Sequence, residues 1–93
     1  MTDILPTITV YTRRFCGYCG AAKQLLESHD YQYAEVSLDN DPELLEQVMH
    51  RANQRTMPQI FVADRSVGGF RELYQQINSG EFAELVASLS KPQ

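Results

Sequence analysis

The stretch Tyr11-Thr12-Arg13-Arg14-Phe15-Cys16-Gly17-Tyr18-Cys19 decides the fold, because it sets two cysteines one helical turn apart where a strand gives way to a helix. Every residue from Thr7 to Thr12 is β-branched or aromatic, which reads as a strand. After the cysteines, Ala22, Leu25, Leu26 and His29 fall at i, i+3, i+4 and i+7, one face of a helix. Cys16 therefore stands at a helix start.

Further strands are expected at Tyr33 to Ser37 and Gln59 to Ala63, with a short one near Ser66 to Val67. Asp41-Pro42, a capping acceptor followed by proline at the first helical position, announces a second helix with Leu44, Leu45, Val48, Met49 and Ala52. A third helix follows Gly68-Gly69, with Phe70, Leu73, Tyr74 and Ile77 inward. Gly80 breaks it, and Phe82, Leu85, Val86 and Leu89 repeat the spacing in a fourth. The order β-α-β-α-β-β-α-α predicts an α/β fold: a small four-stranded mixed sheet flanked by helices, made of a parallel crossover and a later hairpin.

At 93 residues the chain is long enough for one compact domain, 1–93, and too short for two. A formal net charge of -4 argues against a protein that tracks a nucleic-acid backbone, which needs clustered Lys and Arg. The longest apolar runs, Ile8 to Tyr11 and Ile60 to Ala63, are far below the roughly 20 residues that span a bilayer. Met1-Thr2-Asp3-Ile4 lacks the basic start and apolar run of a secretory leader, so a cytoplasmic protein with no membrane partner is expected. In a reducing compartment, cysteines separated by two residues point to catalysis or metal binding, since bridging so short a loop constrains little of the unfolded chain.

A sulfur at the start of a helix meets the unpaired N–H groups of the first turn, which favour a thiolate, and Arg13 and Arg14 add positive charge nearby. Cys16 is the expected nucleophile. Cys19, more enclosed by the helix, is the expected resolving thiol. Gly17 gives backbone freedom between them, and the Tyr18 ring can wall the site. The competing structural reading is two buried cysteines acting as small hydrophobes. A zinc site would need two more ligands, and His29 and His50 lack the close spacing of common fingers. Thr56-Met57-Pro58 precedes a strand, where proline can be simple edge punctuation. In the cis form it would leave the Met57 backbone free to pair with an extended substrate.

The run from Tyr11 to Cys19, then Thr56-Met57-Pro58-Gln59-Ile60-Phe61-Val62, then Val67-Gly68-Gly69-Phe70-Arg71-Glu72-Leu73, resembles the dithiol glutaredoxins in order and spacing over nearly the whole chain. The resemblance implies a thioredoxin-like fold, a cis proline at Pro58 and a groove holding glutathione against Cys16. It implies roles for Arg13 and Tyr18 beside the thiolate, for Thr56, Met57 and Pro58 along the cysteinyl unit, and for Gly69, Phe70, Arg71 and Glu72 around the γ-glutamyl end. Arg13 stands where lysine is more usual, Gly17 where proline is, and Arg71-Glu72 where two acidic residues are. Leu45 replaces a polar or basic residue that would meet the glycine carboxylate. Arg51 or Arg55 could replace it; otherwise each is a solvated surface charge.

The resemblance thus implies a glutathione-disulfide oxidoreductase, expected as a monomer, that reduces protein-glutathione mixed disulfides and other disulfides. The same sequence allows a [2Fe-2S] cluster bridging a dimer through Cys16 of each subunit and two glutathiones, a reading that Gly17 favours. A thioredoxin-like donor reduced by a flavoenzyme is the alternative. No metal is expected in the enzyme form. The apolar residues Tyr18, Met57 and Phe70 form either a docking patch for proteins or local packing over the site.

Overall fold

The computed structural model describes residues 3–92. Met1 and Thr2, part of the stretch read above for a leader, lie outside the described residues. In chain order the elements are β1 (Asp3–Ile4), β2 (Ile8–Thr12), α1 (Gly17–Ser28), β3 (Ala34–Ser37), α2 (Pro42–Ala52), β4 (Gln59–Val62), β5 (Arg65–Gly68), α3 (Phe70–Ser79), α4 (Glu81–Leu89) and β6 (Lys91–Pro92). The eight expected elements are present in the expected order. The short antiparallel pair β1–β6 is additional, with Asp3 opposite Pro92 and Ile4 opposite Lys91. A two-residue strand carries no periodicity that a sequence could display.

The main sheet runs β3-β2-β4-β5, with β2 and β3 parallel and both other pairs antiparallel. Helix α1 makes the crossover that parallel neighbours require. Side chains alternate across the sheet. Ile8, Val10, Ile60 and Val62 join Ala22 and Leu26 of α1, Leu73 of α3 and Phe82 of α4 in one core. Tyr11 and Phe61 turn to the other face, where Leu44, Leu45, Val48 and Met49 of α2 cover them. Strand β4 is buried from end to end, as its unbroken apolar run Ile60-Phe61-Val62 requires.

The helix ends follow local chemistry. Leu44 N–H donates to Asp41 Oδ1 at 3.1 Å, with Pro42 opening α2, and Asn53 at φ 55° closes it. Gly80, at φ 88°, ends α3 and begins α4. His29 lies exposed at the C-terminal cap of α1, at the end of its helix row. One expectation about a helix face is corrected. Tyr74 was expected inward but is 50% exposed, because Leu73 already fills the core position beside it.

Leu26 is fully buried between α1 and the sheet. Leu26→Ala is expected to cost about 3 kcal/mol, through lost transfer energy and a residual cavity, measured as a lower urea midpoint at unchanged m-value.

Candidate active site

Cys16 takes an extended backbone (φ -117°) and caps α1 with its sulfur, which accepts the N–H of Cys19 at 3.2 Å. The two cysteines form a disulfide. Their surroundings differ. Cys19 is 3% exposed and packs with Leu38, Val48, Met57 and Phe61, whereas Cys16 is half-buried. An incoming sulfur can therefore reach Cys16 and not Cys19. The first turn of α1 carries no carboxylate to oppose a thiolate at its N-terminus. Phe15, at φ 57° and 99% exposed, makes the turn into this helix.

The second segment approaches from β4. The Met57–Pro58 peptide is cis, the form that the resemblance implies. The carbonyl oxygen of Met57 lies 3.8 Å from Cys16 Sγ. The β2–β4 register begins at Gln59, which leaves the Met57 backbone outside the ladder.

The third segment is the start of α3. Gly69 N–H donates to Glu72 Oε1 at 2.9 Å, and Gln54 Nε2 donates to the same oxygen at 3.1 Å. The Gly69 bond is the main cause that lowers the Glu72 pKa; Gln54 and the charge of Arg71 act the same way, against desolvation. A Cβ built at Gly69 would stand 3.4 Å from the carbonyl oxygen of Pro58, which puts the start of α3 in van der Waals reach of the proline segment.

Together these segments enclose a groove of about 560 Å³, lined by Arg13, Tyr18, Gln54, Thr56, Met57, Pro58, Gly69, Phe70, Arg71, Glu72 and Tyr74. All the predicted non-cysteine site residues meet there. Tyr18, Phe70 and Tyr74 stack in series, with centroids 5.6 and 6.0 Å apart, and form one wall. Arg13 and Arg71 have no ion-pair partner among the described residues. A recess of about 690 Å³ beside Leu5, Tyr31, Tyr33 and Val86 contains none of these groups.

The glutaredoxin family model matches residues 8–67, which hold both cysteines and the cis proline. The chain belongs to the glutaredoxin family. It is 32% identical over 84 residues to a glutaredoxin of Pseudomonas aeruginosa, covering 90% of this chain and 100% of that one. A glutaredoxin of Neisseria meningitidis is 38% identical over 77 residues, covering 82% and 91%. The solution structure of a Brucella melitensis glutaredoxin superposes with a TM-score of 0.78 at 33% identity, over 88% of this chain and 89% of that one. A glutaredoxin with a Cys-x-x-Cys pair is a thiol-disulfide oxidoreductase, and the fold is the expected thioredoxin-like one.

Within this glutaredoxin several residues stand apart from the groove. Arg14 pairs with Asp39 at 3.9 Å. Arg51 lies over the Phe61 ring at 4.7 Å and pairs with Asp64 at 3.5 Å, and Arg55 pairs with Glu46 at 3.9 Å. Leu45 is partly buried against the core on the α2 face. Sequence reasoning missed Gln54 and Tyr74, which line the groove. The signal for Gln54 was Asn53, a residue suited to the left-handed turn that ends α2 and swings the next side chain round. Of the apolar trio Met57 is 8% exposed and belongs to the core, Phe70 is half-buried between Tyr18 and Tyr74, and Tyr18 is 67% exposed. Among the described residues no three His, Cys, Asp or Glu side chains gather as a metal site.

Glu72 has a lowered folded-state pKa, so its contribution to stability is present above the ordinary carboxylate value of 4.5 and is lost as pH falls through the folded value. Glu72→Gln is expected to lower the urea midpoint at pH 7, with the gap to wild type narrowing as both are titrated below pH 4.5.

Proposed function

We propose that this glutaredoxin reduces protein-glutathione mixed disulfides and other disulfides at the expense of glutathione. The observation that carries the reading is the groove itself. It runs from the unladdered backbone of Met57, whose carbonyl oxygen lies 3.8 Å from the more accessible sulfur, that of Cys16, to the first turn of α3. An extended cysteinyl peptide could add to Met57 as a strand does to a sheet edge. The α3 amides beyond Gly69, together with Arg71, suit a carboxylate at one end of such a ligand, and Arg13 suits a second carboxylate. Glutathione has a thiol between two carboxylate-bearing ends.

In the reaction the Cys16 thiolate attacks the glutathione sulfur of a mixed disulfide, and the protein thiol leaves with the electron pair of the broken S–S bond. The enzyme then carries Cys16 bonded to glutathione. A second glutathione thiolate attacks that glutathione sulfur, giving glutathione disulfide and restoring the Cys16 thiolate. With a protein disulfide, Cys19 instead attacks the mixed disulfide on Cys16, expelling the reduced protein and leaving the Cys16–Cys19 disulfide. Two glutathiones then reduce that bond. The buried position of Cys19 supports this order, since it can be reached only from Cys16.

A [2Fe-2S] cluster would draw one thiolate, that of reduced Cys16, from each chain and take its remaining donors from glutathione. The described residues of a single chain do not by themselves gather a metal site.

Cys16→Ser is expected to lose glutathione-dependent disulfide reduction by at least about three orders of magnitude, measured with glutathione, its reductase and NADPH. Cys19→Ser is expected to keep turnover of a glutathionylated peptide. Full activity in Cys16→Ser would end the proposal.

A further inference from the structure

Gln59 is a buried polar residue that the reaction above does not use. It opens β4 and is fully buried. Its Nε2 donates to the carbonyl oxygen of Thr56 at 2.8 Å and to Oε1 of Gln54 at 2.9 Å. Its own Oε1 is enclosed with no donor. A buried acceptor left unmet calls for a reason, and the geometry supplies one.

The Thr56 carbonyl can only accept, so it fixes which end of the Gln59 amide turns toward it. The same NH₂ group then faces Gln54, which must answer with its oxygen. Gln54 is left with its own NH₂ toward Glu72, where it donates to Oε1 at 3.1 Å. That carboxylate oxygen also holds the Gly69 N–H. The orphaned oxygen of Gln59 is thus the consequence of an orientation imposed on two amides in series. Were the Gln54 amide reversed, two oxygens would face each other and Glu72 would lose a donor.

We infer that Gln59 is a positioning residue: by orienting the Gln54 amide it holds the Glu72 carboxylate on Gly69 and keeps the α3 end of the groove set for its ligand. The relay stands on hydrogen-bond geometry alone; its kinetic consequence rests on the glutathione reading above. The titratable groups that share the groove with Glu72 are Arg71 beside it on α3, Arg13 before α1, and the Tyr18 and Tyr74 phenols. Gln54 and Gln59, on the segment behind it, are neutral.

The test uses the full chain with Gln59→Leu, which removes the donor, and Gln59→Glu, which keeps the shape but presents acceptors to acceptors. Three quantities are measured: the Glu72 carboxyl titration by ¹³C NMR, KM and kcat for glutathione, and iodoacetamide alkylation of reduced Cys16. In both variants Glu72 is expected to titrate at higher pH. KM for glutathione is expected to rise about tenfold, the scale of a lost hydrogen bond to a charged group, at unchanged kcat and alkylation rate. Gln54→Leu alone should reproduce the rise, and adding Gln59→Leu to it should add nothing. This half-buried site also supplies the reading if a Gln59 variant fails to fold. An unmoved Glu72 titration overturns the inference, as does an alkylation rate that falls in step with the rise in KM, which would mark general loosening. If wild type shows no saturable use of glutathione, the glutathione reading fails, while the Glu72 titration still decides the relay.

Discussion

Strand β4 is the constraint on which the site depends. Its four residues are buried, with Ile60 and Val62 serving one core and Phe61 the other. A slip of one residue would exchange those faces and disrupt both cores at once, so the register is held firmly. Met57 and Pro58 precede the strand directly and are therefore placed beside Cys16. Gly68, at the end of β5, pairs with Ile60, which carries the start of α3 to the same place. One enclosed strand thus fixes the separation of three segments that lie far apart in sequence.

The electrostatics of the groove run against those of the whole molecule. The chain has a formal net charge of -4, and Arg14, Lys23, Arg51 and Arg55 each have an acidic partner. The groove holds Arg13 and Arg71, which have none among the described residues. Against the single carboxylate of Glu72 these two arginines leave the groove with a net positive charge, which suits an anionic ligand in a protein that is otherwise acidic.

Much of this was legible in the sequence because the signals were periodic or punctuated. The β-branched run before the cysteines, Asp41-Pro42 and Gly80 each act within a few residues, and the elements formed where they stand. The predicted groove residues came from the resemblance of three blocks to the dithiol glutaredoxins; local chemistry alone left Met57-Pro58 open between edge punctuation and a substrate-facing turn. What escaped notice depended on contacts between segments. Gln54 and Gln59 read as ordinary polar residues until folding sets one amide against the other. Tyr74 obeys the helical spacing of a core residue, yet Leu73 fills the core and the ring turns outward. Arg51 lies over the Phe61 ring and beside Asp64, contacts that no local pattern announces.

The unequal burial of the two sulfurs has a thermodynamic consequence. Cys19 is a member of the same packed cluster as Val48 and Phe61, so the oxidation state of the pair is one of the variables that cluster depends on. Any difference in how well the cluster packs around a thiol and around a disulfide enters the equilibrium between them, and reciprocally that equilibrium enters the stability of the fold. Side chains on the α2 face therefore belong to the set of residues through which selection could shift this protein between stronger and weaker reductant.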